Sequence, residues 1–291
     1  MDGKAKVLAA SGLPVLALVA ALHTAFIPQR SQATPPGVVL YHSGNAVQAC
    51  DVHRPQIEKW APLVVIVHGG GGVIGDKTEW WPAQLADRLA RDGFVTVSIN
   101  YRLAPKHTWP AAVEDVGAAI GRLRNAPAPL SYDPDRVFVI GLSSGAQFAE
   151  MAAIRHPHSI AGIIAVSGVQ DLTTLPWPWV RTALGDADPR SASPLYAVRD
   201  EFPPALFVHG EKDFLVPVSQ SVRMHLALRA RGCDSTLVRL PGADHFRPQR
   251  KFLAQCYPHI VRWLRERSDL VPPRNQALIV AWLTPATATR P

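Results

Sequence analysis

A chain of 291 residues with 47% hydrophobic and 18% charged side chains holds enough apolar material for a sizeable core and too little charge for a disordered polymer. Its 20 glycines and 27 prolines follow no collagen-like or low-complexity pattern, and no repeat recurs at solenoid or propeller periods. The formal charge of +7 is scattered apart from a short cluster at Arg250, Lys251, Arg262, Arg265 and Arg267. No zinc-finger, homeodomain or RNA-binding motif accompanies that cluster, so it reads as a solvated basic surface and not as a nucleic-acid site.

The chain opens with Lys4 and Lys6 ahead of an apolar run over residues 7–26, followed by a short polar stretch with Ser31 and Ala33 at small-x-small positions. This is the layout of a secretory signal peptide cleaved after Ala33. The run is also about as long as a membrane span, so an uncleaved anchor is the alternative, although Pro14 and His23 interrupt it. Either reading puts the following domain outside the cytoplasm, with membrane contact only if the segment is retained.

Two short β-like pieces, 37–41 and 47–52, flank the turn signal Ser43-Gly44-Asn45. Residues 63–67 form a β-branched run typical of a strand buried on both faces. Helical spacing covers 80–91 and stops at Gly93. A strand over 94–99 and a proline-led helix over 110–123 follow. The alternation continues with strands at 136–140, 162–166, 205–208 and 235–240. Helices are expected at 145–154, 218–229 and 252–264, the last broken near Pro258. Such alternation predicts an α/β fold with a mostly parallel, eight-stranded sheet and helices on both faces. Residues 169–204 fall outside the rhythm and suggest an irregular cap or binding loop. Domain organisation is then a leader over 1–33, a catalytic domain over 34–270 and a tail over 271–291. Cys50, Cys233 and Cys256 form no CxxC pair and read as buried hydrophobes, with no metal site implied.

Gly141-Leu142-Ser143-Ser144-Gly145 lies between a predicted strand and a predicted helix. In that context G-x-S-x-G makes a sharp turn that lifts the Ser143 hydroxyl out of the sheet. Ser144 then offers its backbone N–H. His68-Gly69-Gly70-Gly71-Gly72 follows the strand at 63–67, and its glycines allow backbone N–H groups to approach a ligand. Acyl transfer needs such donors, each worth about 3 kcal/mol in the transition state. A serine nucleophile needs a base and the base an orienter. His245 and Asp213 both follow strands, giving the chain order Ser, Asp, His at the C-terminal edge of an open α/β sheet. Glu211 and Asp244 are the rival acids and His209 the rival base. Trp177 and Trp179, in the irregular excursion, are candidates for the substrate pocket.

These motifs, with Gly75-Asp76-Lys77, Asn100-Tyr101-Arg102-Leu103-Ala104-Pro105, Glu114-Asp115, Asp133-Pro134-Asp135-Arg136-Val137 and Ala192-Ser193-Pro194-Leu195, resemble the hormone-sensitive-lipase-like and BD-FAE-like esterases of the α/β-hydrolase superfamily. The resemblance covers about residues 38–267. It implies a Ser143–Asp213–His245 triad, oxyanion donors from Gly70, Gly71 and Ser144, and no cofactor. It also implies that His68, Asp76, Tyr101, Arg102 and Asp115 brace the loops. Gly145-Ala146-Gln147 at the elbow looks closer to the arylformamidase and BD-FAE branch than to the Ser-Ala-Gly-Gly form. Gly72 stands where an aromatic residue is common, which implies a wider pocket near the oxyanion site. The expected function is hydrolysis of small-molecule carboxylic esters. The alternatives are an arylformamidase-like amidase and a binding protein without catalysis. Oligomeric state is not legible.

Overall fold

In the computed structural model the described residues are 37–40, 48–55, 60–125, 132–245 and 249–269. The leader and the tail over 271–291 lie outside them. No helix among the described residues is long and apolar enough to cross a membrane.

Strand β3 (Ala61–Val67) is buried at every position, as its β-branched run requires. Its side chains alternate between two cores. Leu63, Val65 and Val67 face one cluster, and Val64 and Ile66 face the other, the two-residue period of a strand sandwiched between helices. Around it lie β1 (Gly37–Leu40), β2 (Ala49–His53), β4 (Val95–Ile99), β5 (Tyr132–Leu142), β6 (Gly162–Val166), β7 (Ala205–Gly210) and β8 (Ser235–Leu240). The spatial order is β1-β2-β4-β3-β5-β6-β7-β8. The β1–β2 and β2–β4 pairs are antiparallel and the remaining pairs parallel.

Helices α2 (Ala111–Asn125), α3 (Ser144–Arg155) and α6 (Ser219–Arg229) cover one face, where Val116, Ala149 and Met224 are fully enclosed. Helices α1 (Trp80–Arg91) and α7 (Gln249–Ser268) cover the other through Leu85, Leu89, Cys256 and Ile260. All three cysteines are buried thiols without a disulfide.

Three expectations need correction. Strand β5 begins at Tyr132, four residues early, because the β3–β5 register shifts between Pro62 and Leu63 and so absorbs Pro134, Asp135 and Arg136. Helix α7 runs unbroken through Pro258. Pro258 and Ala254, whose carbonyl loses its N–H partner, both sit on the exposed side, where water can replace the missing donor. The excursion over 169–204 is not irregular throughout. It contains α4 (Pro178–Leu184) and α5 (Pro194–Ala197), each with its proline in the first turn, where a missing N–H costs nothing. Its apolar residues Leu172, Trp179, Val180 and Leu184 form a third cluster with Val73, Ala104 and Val216.

Pairing fixes where the site lies. Val67 is opposite Gly141, Leu142 opposite Val166, Val166 opposite Val208, and Gly210 opposite Leu240. The loops after β3, β5, β7 and β8 therefore open on one edge of the sheet.

Candidate active site

Ser143 stands between β5 and α3 at φ 55° and ψ −122°. This is a strained conformation for a residue with a side chain, and the surroundings hold it. The Ser143 N–H donates to the Val166 carbonyl at 2.9 Å, and the Ser143 carbonyl accepts from Ala146 N–H at 3.1 Å. The turn needs glycine on both sides. A Cβ on Gly141 would stand 2.4 Å from the Ala146 backbone, and one on Gly145 would stand 2.3 Å from the His68 carbonyl oxygen.

His245 follows β8. Its Nε2 lies 3.2 Å from Ser143 Oγ and its Nδ1 lies 2.6 Å from Asp213 Oδ2. Asp213 follows β7, and its Oδ1 accepts the N–H groups of Leu215 (3.1 Å) and Val216 (2.8 Å). Burial alone pushes the Asp213 carboxyl up. The neighbouring His245 charge and hydrogen bonds from His209 and His245 outweigh it and hold the group well below the usual carboxylate range. The carboxylate therefore demands a proton on Nδ1, which leaves Nε2 to accept from Ser143. The Lys212 N–H donates to the Ala243 carbonyl at 2.8 Å, tying the aspartate and histidine loops together. The three side chains singled out in the sequence meet in one line, and all three are buried.

Two of the rivals, His209 and Glu211, have partners other than the serine. His209 is fully buried beside Asp213 and approaches the same carboxylate oxygen as His245. Its Nε2 faces Val216 O at 2.8 Å and Asp213 Oδ2 at 3.3 Å. Both oxygens only accept, so Nε2 carries the proton and Nδ1 accepts from the Ser221 hydroxyl at 2.7 Å. His209 thus braces the carboxylate and does not reach the serine. Its spacing of four from Asp213 was the available signal. Glu211 pairs with Arg239 at 3.0 Å.

The glycine loop is braced by the residues expected to do so. The Tyr101 ring stacks on His68 at 4.2 Å between centroids, and its hydroxyl donates to the His68 carbonyl at 2.9 Å. Asn100 Nδ2 donates to Asp76 at 2.7 Å. The Arg102 backbone and guanidinium both donate to Asp115, at 2.8 and 2.9 Å. Gly70 lies at φ 111°, and its carbonyl accepts both Val73 and Ile74 N–H at 3.1 Å; a Cβ there would meet the Ile74 carbonyl oxygen at 1.9 Å. Among the described residues no acceptor takes the N–H of Gly70, Gly71 or Ser144. Ser144 opens α3, where the first N–H groups of a helix have no internal partner.

Beside this loop is a small pocket walled by Gly71, Gly72, Thr108, Phe148 and Trp179. Of the three candidate pocket residues, Trp179 and Gly72 line this cavity and Trp177 does not. Its Nε1 donates to the Leu215 carbonyl at 2.8 Å, next to the aspartate loop. Nor does Gly72 widen the pocket freely, since a Cβ there would stand 3.1 Å from the Phe148 ring, which already takes the space. Phe148 and Gln147 went unnoticed as pocket residues. Their positions, five and four residues beyond Ser143 on α3, were the signal.

The chemical potential of the arrangement is that of acyl transfer. It combines a hydroxyl in reach of an imidazole, an ionised carboxylate behind the imidazole, and unpaired N–H donors alongside. Comparison with known proteins agrees with the fold and motifs. Esterase LipQ of Mycobacterium tuberculosis is 32% identical over 248 residues, covering 75% of this chain and 58% of that protein. Esterase LipC of the same organism is 31% identical, covering 71% and 58%. A probable isoprenylcysteine alpha-carbonyl methylesterase of Oryza sativa, ICMEL1, is 28% identical, covering 63% and 50%. The chain thus spans between half and three fifths of the length of these curated relatives. Two solved structures share the fold. A truncated carbohydrate esterase from gut microbiota has a TM-score of 0.75 at 22% identity, over 84% of this chain and all of that one. Esterase Est2 of Thermogutta terrifontis has a TM-score of 0.72 at 20% identity, over 87% and 99%. The BD-FAE family model matches residues 50–228, well over half of the chain, and with the fold and elbow described above this makes the protein a member of the BD-FAE family of α/β-hydrolases.

Proposed function

We propose that this protein is a serine carboxylesterase acting on small-molecule esters. One observation carries the reading: the row Ser143–His245–Asp213, with spacings of 3.2 and 2.6 Å, beside three N–H groups without acceptors among the described residues. His245 Nε2 takes the Ser143 proton as Oγ attacks the ester carbonyl carbon. The oxyanion receives the N–H groups of Gly70, Gly71 and Ser144. As the tetrahedral adduct collapses, His245 passes the proton to the leaving alkoxide, which departs as the alcohol. The same imidazole then deprotonates a water that attacks the acyl-enzyme, and it returns that proton to Ser143 Oγ as the acyl–oxygen bond breaks and the carboxylic acid leaves. Each step is a proton or acyl transfer, so none calls on a metal or organic cofactor. The naming of LipQ and LipC as esterases supports the ester reading. The leader reading of residues 1–33 places the reaction outside the cytoplasm.

The test is hydrolysis of p-nitrophenyl acetate and butyrate, with covalent labelling by a fluorophosphonate. Ser143→Ala should abolish labelling and lower kcat by about 10⁴-fold or more. The elbow Gly145-Ala146-Gln147 favours a second reading, amide hydrolysis. Labelling without ester turnover, joined to turnover of an N-formyl arylamine, would select it. A folded protein that neither labels nor turns over either substrate refutes catalysis altogether.

A further inference from the structure

The pocket beside the glycine loop is small and walled mainly by apolar side chains. Trp179 packs against Gly71, where a Cβ would stand 3.0 Å from its ring. Phe148 closes in on Gly72 at 3.1 Å from the corresponding position. Trp179 is buried and belongs to the cap cluster with Leu172, Val180 and Leu184, so its ring shifts only if those neighbours repack. The pocket shares Gly71 with the candidate oxyanion donors and Gln147 with the helix that begins just after Ser143. Gln147 turns its Nε2 to the Ala192 carbonyl at 2.9 Å, which pins that wall to the cap.

We propose that this pocket receives the acyl chain and that Trp179 limits it to short groups, acetyl to butyryl. The inference rests on the esterase reading above. An acyl carbonyl held at Ser143 with its oxygen on Gly70, Gly71 and Ser144 sends its substituent along Gly71 into this apolar space. A longer chain must displace a close-packed aromatic ring, which costs more than each added methylene returns.

The experiment measures kcat/KM for p-nitrophenyl acetate, butyrate and octanoate. The wild type should favour butyrate over octanoate by about tenfold or more. Trp179→Ala should shrink that preference by about tenfold, because removing the ring opens the pocket towards the cap. Trp177→Ala, which alters the neighbouring tryptophan outside the pocket, should leave the ratio alone. Ala183→Leu provides an independent variant from the same wall, since Ala183 Cβ lies 3.5 Å from the Cβ position of Gly72. Filling the pocket there should depress butyrate more than acetate, and it decides the matter if Trp179→Ala does not fold. A wild type that turns over octanoate as well as acetate overturns the proposal. So do folded variants that label with fluorophosphonate but keep the wild-type ratios. If the folded wild type neither labels nor turns over any ester, the esterase reading fails and this inference falls with it.

Discussion

Glu150 is the sharpest place to probe the stability of the helix that follows the candidate nucleophile. It lies in α3, is fully buried, and has one amide partner, Gln170 Nε2 at 3.1 Å. Burial pushes its carboxyl up to about 8, which the Gln170 hydrogen bond only partly opposes. In the unfolded chain it titrates near 4.5. Between these two values the folded state holds a proton that the unfolded state has lost. Stability from this group is therefore complete below about pH 4.5 and declines as pH rises, by about 1.4 kcal/mol per unit, levelling off above pH 8. Between pH 6 and pH 8 the loss is about 2 kcal/mol, against a typical total of about 5–15 kcal/mol. Glu150→Gln keeps the shape and removes the titration. Urea unfolding of both proteins at pH 5, 6.5 and 8 gives the difference in stability, from which every other titrating group cancels. The difference should move in favour of the glutamine variant by about 2 kcal/mol from pH 6 to pH 8. A difference that stays flat across this range refutes the reasoning, because it means that the carboxylate is solvated or paired in the folded state.

Two further outcomes follow from the site geometry. Gly145→Ala forces a methyl group to within 2.3 Å of the His68 carbonyl and 2.4 Å of the Val67 carbonyl, both backbone atoms that cannot swing aside. It should cost about 3 kcal/mol or more in urea unfolding and remove fluorophosphonate labelling; near-wild-type stability would mean that the elbow and the glycine loop do not pack as described. Asp213→Asn should lower kcat by about 10⁴-fold, since the amide no longer demands the proton on Nδ1. Because the folded-state carboxyl titrates below its ordinary value near 3.8, the stability it contributes is present above that pH and is lost as pH falls through the lower folded value. The wild type should therefore lose its stability advantage over Asp213→Asn below about pH 4 in acid melts.

Much of the fold and of the candidate site was legible because both depend on local signals. The alternation of β-branched runs with helical spacing located β3, β4, β6, β7 and β8 to within a residue or two. Gly141 and Gly145 marked the elbow because no other residue fits there. What escaped depends on packing between distant segments. Nothing local to 169–204 announces that Pro178 and Pro194 begin helices, since proline is as common in loops as in first turns. Trp177 and Trp179 differ by two residues and looked equivalent, yet α4 carries one to the pocket and leaves the other by the Asp213 loop. Gly72 read as open space only while the Phe148 ring, from a different helix, was out of view.

Helix α3 joins the two halves of the site. Its first residue offers the Ser144 N–H beside the nucleophile, while its next turns reach the cap region through side chains. Gln147 donates to the Ala192 carbonyl, and Glu150 accepts from Gln170. Gln170 in turn sits where Gln220 Oε1 accepts the N–H groups of both Gln170 (2.9 Å) and Asp171 (2.6 Å), linking the start of the cap to α6. The sheet edge fixes the reacting groups through backbone geometry that tolerates almost no substitution. The segment over 169–204 touches them through Trp179 on Gly71 and through these buried amides. A change of sequence in the cap therefore reshapes the pocket without moving Ser143, provided that Gln147 and Gln170 keep their partners. On the esterase reading, a change that breaks those amide contacts should loosen α3 at the elbow and lower kcat together with any change in chain-length preference, which kinetics on Gln170→Ala would test.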